Sequence, residues 1–154
     1  MNGFPDTSFL CALYRTQVNS SQADHYMAGL SGTLGVSSLL LLEFRQSVRL
    51  QIRLHHNDRN KGFTQTEGQQ MLNDLQIDLN AGLLTPIPVD WSAVHQRAEA
   101  LSSAHTLASG HRLADILHVA TALHLGVREF LTFDGNQKNL AEAEGLMVPV
   151  SLTD

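Results

Sequence analysis

The chain has 154 residues, of which 43% are apolar and 16% charged, with a formal net charge of −5 at pH 7. That length suits one domain able to bury its own core, and the composition excludes a disordered chain or a long coiled coil. The balance of 10 basic against 15 acidic residues excludes a broad basic face for nucleic acid or membrane. It leaves room for local basic ridges and for an enzyme whose positive charge comes from metal ions.

In chain order, Asn2-Gly3-Phe4-Pro5 is a weak first strand, because Pro5 has no N–H and is unwelcome inside a sheet. Phe9, Leu10, Leu13 and Tyr14 recur at helical spacing after Asp6, and a short helix is expected from Gln22 to Leu30. Ser37 and Ser38 are N-cap candidates for a long helix to about His55, and the polar stretch His55 to Gly62 reads as a loop. Gln65 to Asn80 is a helix stopped by Gly82, and Pro86-Ile87-Pro88-Val89 is extended. Trp91, with Val89, Val94 and Leu101, marks core at the entrance to a helix expected from Ser92 to Ala108 and closed by Ser109-Gly110. Leu113 to Leu125 is a helix ended by Gly126, Glu129 to Phe133 has strand character, Asn136 to Glu144 is helical, and Met147 to Ser151 is a last strand. Strands alternating with helices imply an α/β sandwich around a mostly parallel sheet, in one domain over residues 1–154.

Cys11 is the lone cysteine, which rules out an internal disulfide and favours a reducing compartment. The opening residues lack the basic and apolar regions of a signal peptide, and the run Leu39-Leu40-Leu41-Leu42 is far short of a membrane span. The expectation is a soluble cytoplasmic protein without a membrane partner.

Ligands of such folds gather at the carboxyl ends of the strands. Asp134 follows a strand directly and Asp6 precedes the first helix, while Asp115 falls in the first turn of its helix, where the macrodipole favours a negative charge. Glu43 sits inside the apolar stretch Leu39 to Phe44, an expensive place for a carboxylate that nothing positive meets. Taken singly, Asp6 and Asp115 also read as caps, Asp134 as a turn former and Glu43 as an edge residue reaching solvent.

Together they resemble the PIN-domain ribonucleases, and most closely the VapC-like toxins of toxin–antitoxin pairs. Asp6-Thr7-Ser8-Phe9-Leu10 is similar to the family's opening signature, and Ser37-Ser38-Leu39-Leu40-Leu41-Leu42-Glu43-Phe44 to its Ser-to-Glu helix start. The most specific stretch runs from Arg112 through Asp115 and His118 to Leu123, then Glu129 to Asp134 and Gly145-Leu146. The resemblance implies a PIN-like three-layer sandwich with a short, mostly parallel sheet flanked by helices. It also implies a metal-dependent endoribonuclease whose Mg²⁺ or Mn²⁺ is held by Asp6, Glu43, Asp115 and Asp134. Asp6 and Asp115 are the expected direct ligands. Glu43 and Asp134 complete the cage directly or through water, and Ser8 and Thr132 support the carboxylates or contact the phosphate. An RNA substrate, a small antitoxin whose tail occupies the active-site groove and a homodimer are implied with it.

Electrostatics agrees with a cation. Each ionised carboxylate pair at ~5 Å and an effective dielectric of ~20 costs about 3 kcal/mol, so six pairs reach about 20 kcal/mol unless protons or divalent ions enter. His111, Asp115 and His118 could share a helical face as a zinc site, but Gly110 leaves His111 in the turn, and no His-Glu-x-x-His motif is present. Arg45, Arg49 and Arg53 form a ridge every four residues, pointing away from the acidic set. A solvated face, RNA phosphate contacts and a partner's acidic surface all stay open for it. Two other functions also stay open: a non-catalytic interaction module on the same fold, and a metal phosphohydrolase acting on small phosphate esters.

Overall fold

In a computed structural model that describes residues 2–150, the helices begin where a side chain can satisfy free backbone amides. Asp6 caps α1 (Thr7–Tyr14), Ser37 caps α3 (Ser38–Asn57), and Thr64 with Glu67 closes a capping box on α4 (Gln65–Ala81). Asp90 caps α5 (Trp91–Leu101), and Asp134 caps α8 (Gly135–Ala143). Between them lie α2 (Ser20–Gly29), the short α6 (Leu107–Ser109) and α7 (Leu113–Leu125). Gly82, Gly110 and Gly126 take left-handed φ values of 75°, 69° and 66° at the ends of α4, α6 and α7.

The strands are three residues each: β1 (Gly3–Pro5), β2 (Leu34–Val36), β3 (Leu84–Pro86) and β4 (Glu129–Leu131). β1 pairs in parallel with β4, Phe4 opposite Phe130, and β2 pairs in parallel with β3, Gly35 opposite Thr85. β1 lies beside β2, yet no ladder joins them, so the sheet is two parallel pairs side by side. Pro5 supplies the reason. The Asp6 amide donates to the Leu131 carbonyl at 3.0 Å, so by strand alternation Pro5 turns its N–H-less nitrogen toward β2. The proline is tolerated because it costs the β1–β4 ladder nothing. Pro86 is placed the same way: the next amide, Ile87, donates to Val36 at 2.9 Å, leaving the proline nitrogen on the outer edge.

Several boundaries differ from the sequence expectation. β2 was not anticipated, since Leu34-Gly35-Val36 is short and carries a glycine. The third strand is Leu84–Pro86, overlapping the expected Pro86–Val89 only at Pro86. The expected helix over Ser92–Ala108 begins at Trp91 and widens into a π-helical turn at Ser102–Thr106 before α6. The long helix continues to Asn57, taking in the first three residues of the expected loop. The strand expected over Met147–Ser151 reduces to a bridge between Met147 and Glu129, and Ser151 lies outside the described residues.

The core is continuous across both strand pairs and includes Phe4, Phe9, Leu10, Phe44, Leu75, Phe130, Leu131 and Leu140. Phe9 stacks on Phe133 with ring centroids 5.9 Å apart and planes 8° from parallel, which pins the start of α1 against the segment after β4. That contact sets Asp6 beside Thr132 and Asp134. Among the described residues no helix is long and apolar enough to cross a membrane.

Candidate active site

Asp6 is fully buried, immediately after β1. Its Oδ1 accepts from the Ser8 hydroxyl at 2.7 Å and the Phe9 amide at 2.9 Å, and its Oδ2 from the Thr132 hydroxyl at 2.6 Å and the Gln137 side-chain amide at 2.9 Å. Four donors fill the lone-pair sites of one carboxylate. The two hydroxyls also tie it to the segment after β4: Ser8 accepts from the Phe133 amide at 2.8 Å, and Thr132 from the Asp134 amide at 3.0 Å. Half-buried Asp134 accepts the amides of Asn136 and Gln137 on Oδ1, each at 2.9 Å.

Glu43 comes in from α3. Its Oε2 accepts from the Thr7 hydroxyl at 2.5 Å and meets the Nε2 of His118, which is buried on α7. Asp115, buried one helical turn before His118, accepts from the Arg112 backbone amide at 3.3 Å and from its guanidinium at 3.4 Å. Asp6, Ser8, Thr132 and Asp134 are thus joined by hydrogen bonds. Glu43 reaches them through Thr7, the neighbour of Asp6. Asp115 shares α7 with His118 but, among the described residues, is bonded through its side chain to Arg112 alone.

Asp6 and Glu43 are pushed in opposite directions. Burial raises the Asp6 carboxyl above its ordinary value, more than the Thr132, Ser8 and Phe9 donors and the charge of His118 can offset. Burial acts the same way on Glu43, but hydrogen bonds from His118 and Thr7, with the charges of His118 and Arg112, outweigh it and hold Glu43 below its ordinary value. One carboxyl resists ionisation while the other is committed to it. That is the electrostatic signature of a working site as well as of a buried ion pair.

Among the described residues, no group of three or more His, Cys, Asp or Glu side chains is arranged to hold a metal ion. The donor type nevertheless suits a hard divalent cation, since the acids offer only oxygen. Glu43, Asp115 and Asp134 each spend a single oxygen on the hydrogen bonds described, leaving Glu43 Oε1, Asp115 Oδ1 and Asp134 Oδ2 without donors among the described residues. Asp6 would have to release one of its four donors. The set fits in chemistry and in free oxygens, without standing preassembled.

Thr7, His118 and Gln137 join the site without having been singled out for it. Gln137 carried a readable signal, as it lies three residues after Asp134 in the first turn of α8. The zinc grouping does not form: His111 precedes α7, and His118 turns to Glu43. Arg45 is half-buried, Arg49 and Arg53 are exposed, and none forms an ion pair among the described residues. A cavity of about 990 Å³ is lined by Tyr26, Ser31, Thr33, Thr85 and Glu129 and touches none of the four acids.

A family model described as the PIN domain matches residues 4–143. No curated protein matches the chain. Among solved structures, the Mycobacterium tuberculosis toxin VapC20, described as cleaving the Sarcin-Ricin loop, is 18% identical with a TM-score of 0.65, over 97% of this chain and 99% of that one. FitAcB from Neisseria gonorrhoeae is 18% identical with a TM-score of 0.59, over 95% of each chain. A toxin–antitoxin complex from Klebsiella pneumoniae is 16% identical with a TM-score of 0.60, over 98% of this chain and 99% of that one. At these identities the likeness is one of fold.

Proposed function

The chain belongs to the PIN domain family, and on that premise we propose that it is a Mg²⁺- or Mn²⁺-dependent endoribonuclease, the toxin of a toxin–antitoxin pair. The observation that carries the reading is the buried Asp6 carboxylate at the carboxyl end of β1, tied by Ser8 and Thr132 to the segment that carries Asp134. A carboxylate that burial disfavours, next to acids with free oxygens, is a site where a divalent cation lowers the energy of the fold.

Asp6 and Asp115 would hold the cation, with Asp134 and Glu43 completing its shell directly or through water. When bound, the cation supplies Lewis-acid stabilisation of the phosphate and a water acidic enough to attack at neutral pH. Ser8 and Thr132 orient Asp6 by donating to separate oxygens. Thr7 and His118 hold Glu43 ionised at the rim, where it can accept a proton from the attacking water or orient it. Assembly with an antitoxin is proposed from a toxin–antitoxin complex of the same fold. Single-domain organisation, a homodimer and cytoplasmic residence are proposed with it.

The test is cleavage of a structured RNA with Mg²⁺ or Mn²⁺ and an EDTA control. Cleavage is expected in metal only, and Asp6→Asn and Asp115→Asn should abolish it while leaving the circular dichroism spectrum unchanged. Undiminished cleavage by both variants would reject the reading. The second reading, a non-catalytic module, draws on the pairing of Glu43 with His118 and of Asp115 with Arg112. It predicts no cleavage under any metal condition.

A further inference from the structure

Gln137 touches two of the four acids at once. Its backbone amide donates to Asp134 Oδ1 and its side-chain Nε2 donates to Asp6 Oδ2, both at 2.9 Å. The residue is 6% exposed, and its Oε1 has no hydrogen-bond partner; among the described side chains it is the single buried oxygen left so. A buried carbonyl without a donor is unfavourable, and holding Asp6 requires only the N–H half of the amide. The amide therefore carries an acceptor that the protein does not use, fixed beside the most buried carboxylate of the site. A hydrated divalent cation offers the missing donor, because its bound waters are strong and acidic hydrogen-bond donors.

We propose that Gln137 is a positioning residue: its amide N–H holds Asp6, and its carbonyl oxygen accepts a hydrogen bond from water in the shell of the bound cation. The inference rests on the reading that the four acids hold a divalent ion. It adds that the last turn of the site is built from an amide as well as from carboxylates. The glutamine matters twice, once for the orientation of a ligand and once for the order of the water.

The test is Mn²⁺ binding, followed by the electron paramagnetic resonance signal of free Mn²⁺, for the wild type, Gln137→Met and Gln137→Glu. Circular dichroism checks each fold. Gln137→Met removes both halves of the amide and should weaken Mn²⁺ binding about tenfold or more. Gln137→Glu keeps an acceptor oxygen, and its added negative charge offsets the lost N–H on Asp6 once the cation is bound, so it should bind Mn²⁺ at least as tightly as the wild type. A structural role alone would leave Mn²⁺ affinity unmoved in Gln137→Met, or weaken both variants alike; affinity within twofold of wild type in the first, or equal weakening in both, overturns the inference. If Gln137→Met fails to fold, Gln137→Glu decides: retained or tighter binding supports the inference, weaker binding overturns it. A wild type that binds no Mn²⁺ overturns the metal reading and the inference with it. Wild-type binding with an unaltered Gln137→Met overturns the inference alone.

Discussion

Asp6→Asn should reverse the order of stability between metal-free and metal-loaded protein. Asn caps a helix as well as Asp does, so α1 keeps its start. Without metal, the Ser8 and Phe9 bonds to the remaining oxygen weaken, and the Thr132 and Gln137 donors face an amide nitrogen that cannot accept, at about 1 kcal/mol each, about 4 kcal/mol in all. Against that stands the desolvation of a buried carboxylate, several kcal/mol in effective terms. Because Asp6 is held above its ordinary value, burial is the larger effect, and the new amide can also donate to the unpaired Gln137 oxygen once that side chain flips. In EDTA near neutral pH the variant should therefore melt no lower than the wild type. The pH sign follows from the same shift. The folded protein binds the Asp6 proton more tightly than the unfolded chain, so this part of the stability is present below the ordinary value of 3.8 and lost as pH rises through the raised one. The variant's advantage should accordingly shrink toward acid pH. With Mn²⁺ at a hundred times its Kd, the wild type gains about 2.7 kcal/mol, or about 5–10 °C for a chain of this size, and the variant gains little of it. Thermal unfolding followed by circular dichroism, with EDTA and with Mn²⁺, measures both halves. A variant clearly less stable in EDTA would refute the balance between burial and hydrogen bonding, and equal Mn²⁺ shifts in both proteins would refute Asp6 as a ligand.

Glu43 should behave in the opposite way with pH. Held below its ordinary value of 4.5, it contributes stability that is present above that value and is lost as pH falls through the lowered one. Urea unfolding of the wild type and Glu43→Gln across that range should converge in acid, and a constant gap would argue against the His118 and Thr7 pairing. A Cβ at Gly68 would overlap Ile52 Cδ1 and stand 2.6 Å from its Cγ1 and 3.3 Å from the Phe63 ring. Gly68→Ala should lose about 1–3 kcal/mol to crowding, more than the ~1 kcal/mol that alanine gains in a helix. Ile52→Ala in the same background should recover part of that loss, and a rise in Tm for Gly68→Ala alone would contradict the packing. Burial pushes the Cys11 thiol up to about 12 from 9.0, so at pH 8 its alkylation should run about a thousandfold slower than that of an ordinary cysteine. A rate within tenfold of a free peptide thiol would disprove it.

Helix starts and stops were legible because they are local. Asp6 and Ser37 cap with their own side chains on amides three residues on, and Gly82, Gly110 and Gly126 need only their own φ. The order and spacing of Asp6, Glu43, Asp115 and Asp134 carried the family resemblance for the same reason, since Asp6, Asp115 and Asp134 sit at helix starts that a linear pattern marks and Glu43 interrupts an apolar run inside α3. Contacts made across the chain were not legible. Nothing local says that His118 meets Glu43 across 75 residues, or that Gln137 meets Asp6 across 131. Three-residue strands such as Leu34–Val36 leave almost no periodicity to read. Whether Pro5 breaks a sheet or merely divides it depends on the side to which its nitrogen turns, and only the pairing of β1 with β4 decides that. Residue types and caps are properties of the chain, whereas which buried donor meets which carboxylate is settled by packing, because burial makes every unpaired polar group expensive.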